Sequence, residues 1–152
     1  MAGPRSWLVG LGAAQVVLGG LVAAVTGPLQ LPRGSWLAAY LVLVGGVGQY
    51  AIGRAPSWLG LTPSRRAGWA ELAGWNLANL AVVLGTLTRL PLVVDVGGVV
   101  LAVVLVLLLR DVLRARRDTT GPRWARVGYA VLLLVLLVSI PVGLVLAHLR
   151  AG

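Results

Sequence analysis

Residues 65–95 read RRAGWAELAGWNLANLAVVLGTLTRLPLVVD, and the fold follows from how this stretch is read. Its first two-thirds form an apolar helix carrying Glu71, Trp75, Asn76, Asn79 and Thr86, and a turn at Arg89 to Pro91 leads to a second apolar run that begins with Asp95 close to its start. A connection this short between two long apolar runs makes them an antiparallel helical hairpin. Polar side chains at this density are costly inside hydrocarbon, so each needs a partner or a task.

Working outward, the whole chain shares this character. It has 152 residues, 59% of them hydrophobic, with a mean hydropathy of +0.93 and 11% charged residues. Soluble domains carry about a quarter charged residues, so the composition implies one polytopic transmembrane domain. The net charge of +9 would suggest nucleic acid in a soluble protein. Here the charges sit in short connections between apolar runs and act as topology signals instead. Cysteine is absent, which excludes disulfides, thiol chemistry and cysteine-held clusters. All the basic residues are arginine and phenylalanine is missing, a pattern we read as GC-rich codon usage.

Five spans are expected, over about 7–25, 36–52, 67–87, 91–109 and 127–149, each long enough to cross about 30 Å of hydrocarbon. The first run follows a short arm with Arg5, as a signal peptide would. Its length and the poor cleavage site at Val25-Thr26-Gly27-Pro28 predict a retained helix. Gly10, Ala14, Gly19 and Gly20 offer it small-residue positions for close helix contact, with Gln15 near mid-depth. In the second run Gly45, Gly46 and Gly48 allow backbone approach beside Gln49 and Tyr50. Gly97, Gly98 and Ala102 form a small face on the fourth, and Pro141 should kink the fifth. Ten of the thirteen arginines fall in the N-terminal arm, the second connection and the fourth connection (residues 110–126). The excess predicts a cytoplasmic N-terminus and an external C-terminus. Trp7, Trp58, Trp69 and Trp124 then fall at the inner surface and Trp36 at the outer one, while Trp75 lies deeper.

Depth limits the chemistry. Glu71 is expected about 6 Å inside its helix and Asp95 about as far inside the opposite end of the next, placing them about 20 Å apart. Two carboxylates so separated cannot share one substrate atom as general acid and base. Asp95, near a helix N-terminus, is expected to form a structural ion pair with Arg89, and Glu71 to pair with Arg54, Arg65 or Arg66 or to act as a proton or cation site. Asn76, Asn79, Val83 and Thr86 share one stripe. Gln15 is placed at their depth, and Gln49 with Tyr50 at the depth of Glu71. Glu71, Asn76, Asn79, Gln15, Gln49, Tyr50 and Trp75 are thus the candidates for a substrate or ion path, or for glue between helices. With His148 as the single histidine, a bis-histidine heme is excluded. No phosphate loop or metal-ligand spacing occurs, so no cofactor, no metal site and no catalytic residues are expected. The basic connections suit anionic lipid headgroups.

The segments GQYAIGRAP (48–56), PSRRAGWAELAGWNLANLAVVLGTL (63–87) and LVVDVGGVVLAVVLVLLLRDV (92–112) resemble small integral membrane proteins related to the heme-copper oxidase catalytic subunit and to nitric-oxide-response (NnrS-like) proteins. That resemblance covers roughly residues 38–114. It implies a similar helix order without heme, because Ala38, Ala39 and Gln49 occupy the stretch where that family carries histidines. The expected function is that of a non-enzymatic accessory or stabilising subunit in the plasma (inner) membrane, packing through Gly-rich faces against copies of itself or a larger complex. The alternative is a small oligomeric transporter or channel with a polar path around Glu71, Asn76 and Asn79.

Overall fold

The computed structural model describes residues 3–114 and 122–149 and is all-α. Five helices are long and apolar enough to span a membrane: α1 (Pro4–Thr26), α2 (Gly34–Leu59), α3 (Arg65–Thr88), α4 (Pro91–Arg114) and α5 (Arg123–Leu149). They run past the expected spans at nearly every end. At about 1.5 Å per residue they measure roughly 35 to 40 Å, so their ends extend beyond a hydrocarbon layer of about 30 Å or tilt within it. Arg116, Arg117, Asp118 and Arg150 lie outside the described residues.

The largest departure is at α2, which continues through Gly53, Arg54 and Pro56 to Leu59 where the sequence suggested a loop from Gly53. Pro56 has no amide to give the Ile52 carbonyl four residues earlier. The Arg5 guanidinium supplies the donor, Nη1 bonding to Ile52 O at 3.3 Å. The middle of α2, Leu41–Gly48, is a π-helix. It contains Gly45, Gly46 and Gly48, which hold α geometry weakly.

The chain divides into two compact units, residues 1–54 and 55–152. In the first, α1 and the greater part of α2 form a hairpin packed backbone to backbone. A Cβ on Gly12 would lie 2.7 Å from Tyr50 N and 2.9 Å from Gly46 O, and one on Gly19 would lie 2.9 Å from Ala38 O. Of the glycines expected on α1, Gly19 makes such a contact, whereas Gly10 and Gly20 have nothing within 4 Å and Gly12 takes their place. Between the helices Gln30, at φ 50°, donates from Nε2 to Gly27 O at 2.8 Å, which holds the turn.

In the second unit α4 packs against both α3 and α5. Gly85 of α3 meets Val94, Gly97 of α4 meets Ala78 and Val82, and Gly74 meets Val104. The register is therefore antiparallel and tight. The neighbouring Gly98 turns instead to Ile140 and Leu144 of α5, so the two adjacent glycines serve opposite partners. Ser64 caps α3 by accepting from Ala67 N at 3.2 Å, the usual N-cap device. At the other end Arg89 is left-handed (φ 58°, ψ 39°) and its amide, with that of Leu90, returns to Gly85 O. Pro141 lies within α5 without ending it.

Both units carry their apolar side chains outward. Only 17% of the spanning window is buried in α1 and in α5, and Val17, Leu18, Leu21, Val96, Val99, Val103, Val135 and Val138 are all exposed. Interior positions hold Gly12, Gly19, Gly45, Gly46, Gln49 and Asn79. Water-soluble proteins rarely expose contiguous apolar patches of this kind, which marks a multi-pass membrane protein.

Candidate functional site

The polar candidates fall into the two units, and each group is described by itself. In the first, Gln49 is 0% exposed and its Oε1 accepts from Gln15 Nε2 at 3.1 Å. The pair joins α1 to α2 at mid-helix in both. Gln49 therefore lies at the depth of Gln15, not nearer one end as its expected place in a helix closing at Ile52 implied. The extension of α2 to Leu59 moves its midpoint and explains the correction. Gly45 makes room for the pair, because a Cβ there would overlap Gln15 Oε1. Gln49 Nε2 is buried and has no hydrogen-bond partner. Tyr50, next in sequence, is exposed, and its main chain, not its ring, is what meets Gly12.

In the second unit Trp75 is 0% and Asn79 6% exposed. Asn79 Nδ2 donates to Trp75 O at 2.7 Å and Asn76 Nδ2 to Leu72 O at 2.8 Å. In both amides one N–H thus returns to the carbonyl one turn back on its own helix, a local bond that leaves the second N–H and Oδ1 for other partners. Trp75 Nε1 is buried without a hydrogen-bond partner. Glu71 is half-buried on the turn before Trp75. Asp95 is half-buried in the second turn of α4, and Arg89 is exposed at the hairpin. The register that sets Gly97 against Val82 and Gly85 against Val94 puts Asp95 level with about residue 83, about 18 Å along the axis from Glu71. The two carboxylates stay apart, as their spacing in sequence requires.

Among the described residues no three of His, Asp or Glu come together as a metal-binding group. Two features were not foreseen from the sequence: the π-helical segment of α2 and the link from Arg5 to Ile52. The run Gly45-Gly46-Val47-Gly48 was the available signal for the first, and Pro56 for the second. No family model matches the chain, and no curated protein or solved structure does so either.

Proposed function

We propose that this chain is a non-enzymatic accessory or stabilising subunit of the plasma (inner) membrane, with its N-terminus in the cytoplasm and its C-terminus outside. The observation that supports this reading best is that α1 has two small-residue faces. Gly12 and Gly19 are filled by α2, whereas Gly10 and Gly20 meet nothing within 4 Å and share their exposed side with Ala13, Ala14 and Ala24. Small residues permit close helix approach in a membrane, where lipid tails compete poorly with backbone contact. Within the first unit the buried amides of Gln15 and Gln49 bond to each other and so join the chain's own helices. The arginine distribution supports the orientation.

The absence of native cysteine makes the test direct. Gly10→Cys and Gly20→Cys should cross-link in native membranes to a second copy or to one defined subunit, with Leu43→Cys, exposed on α2, as the comparison. A monomer without adducts in mild detergent and in membranes overturns the proposal.

One observation favours transport: the buried donors Gln49 Nε2 and Trp75 Nε1 carry no hydrogen bond. In that reading Glu71, Asn76 and Asn79 line a path in an oligomer. Proton and cation flux into liposomes, measured for the wild type and Glu71→Gln, decides it. Flux absent from both removes transport.

A further inference from the structure

The facing ends of α4 and α5 carry Arg110, Arg114, Arg123 and Arg126, the first three exposed and Arg126 half-buried. Gly98 of α4 meets Ile140 and Leu144 of α5, and this fixes both height and rotation. Counting equal steps from that contact along the antiparallel helices brings Arg114 level with Arg126. At about 100° per residue, Arg110 and Arg114 are turned by about 120° and 160° from the Gly98 line, in the sense opposite to Gly97, which faces α3. On α5, measured from the buried Leu133, Arg126 and Arg123 are turned by about 20° and 80° in the same rotational sense. Because the helices run in opposite directions, these rotations bring Arg110 and Arg123 to one side of the α4–α5 pair, with Arg126 turned towards α4 and Arg114 away from α5. That side is the one away from α3. Asp111, the acidic residue within this end of α4, is turned to the other side.

Below the arginines the same side is apolar and exposed, with Val99, Val103 and Val106 on α4 and Leu134 on α5. The first turn of α5, where Pro122 O accepts from Ala125 N at 3.1 Å, adds the favourable end of a helix dipole. A basic cluster above an apolar two-helix face matches one occupant in charge and in shape, an amphiphile with an anionic head.

We propose that this face holds one anionic phospholipid, its phosphate between Arg110 and Arg123 with Arg114 at the flank, and its acyl chains along Val99, Val103, Val106 and Leu134. The inference rests on the reading of α4 and α5 as membrane spans. It goes beyond a general attraction of basic connections to anionic membranes, because it assigns one site, one stoichiometry and a side of the molecule.

The test is native mass spectrometry of the full chain released from nanodiscs of equal parts phosphatidylcholine and phosphatidylglycerol. One retained phosphatidylglycerol per chain is expected, preferred over phosphatidylcholine by about tenfold or more. Arg110→Gln with Arg123→Gln should abolish the preference. Arg65→Gln with Arg66→Gln, an equal loss of charge at the start of α3, should leave it intact. Retention of the two lipids in their mixing ratio by the wild type overturns the proposal whatever the variants do. Equal loss in the Arg65 and Arg66 variant also overturns it, since that is generic attraction. Inorganic phosphate in detergent that displaces the retained lipid at millimolar concentration assigns the site to free phosphate and overturns the lipid. Failure to enter nanodiscs at all would instead refute the membrane reading on which the site depends.

Discussion

The α1–α2 hairpin and the α3–α4 hairpin use the same residue types for different ends. In the first an amide reaches across, Gln15 Nε2 to Gln49 Oε1, and glycines bring main chain against main chain. In the second the amides of Asn76 and Asn79 each bond back to a carbonyl of their own helix, while the glycines again bring main chain close, Gly97 to Ala78 O and Gly85 to Val94 N. Side-chain length accounts for part of the difference. The short asparagine reaches the carbonyl one turn back readily, while glutamine extends far enough to meet a neighbour.

The comparison breaks most sharply at glycine. Gly12→Leu should destabilise the α1–α2 hairpin by about 3 kcal/mol, because main chain, which yields little, stands in the way. Gly10→Leu, on the open face, should leave stability within about 0.5 kcal/mol. Steric-trap unfolding in bicelles measures both, and equal effects would erase the distinction between the two faces of α1.

Next in size is Arg5→Met. It keeps most of the stem but removes the donor from the carbonyl that Pro56 leaves open, a loss of about 1.5 kcal/mol. The same assay reads it, and no change would mean that another group satisfies Ile52 O. Smallest is Thr88→Ala, which removes the exposed hydroxyl that bonds to Leu84 O at 2.7 Å and should change stability by no more than about 0.5 kcal/mol. A loss above about 1 kcal/mol there would show that the bond holds the end of α3 at the hairpin.

These cases also show what was legible in the sequence. Five apolar runs and the short turn at Arg89 to Pro91 gave the helices and the α3–α4 hairpin, because length and hydropathy are properties of single segments. The separation of Glu71 from Asp95 followed from counting along two antiparallel helices. The end of α2 was misplaced because Gly53, Arg54 and Pro56 read as a break. Across that break Arg5, 47 residues away in sequence, donates to Ile52 O; Pro56 signals that the carbonyl needs a donor but not which residue supplies it. The depth of Gln49 was misplaced with it. That Gly12, and not Gly10 or Gly20, meets α2 depends on rotation about the α1 axis, which a helix with small residues on several sides does not fix.

The central claim, that Gln15 and Gln49 join α1 to α2, is tested most directly by a double-mutant cycle in the same bicelles. Gln15→Leu, Gln49→Leu and their combination should give a coupling energy of about 1 kcal/mol. A coupling within about 0.3 kcal/mol of zero would contradict the account.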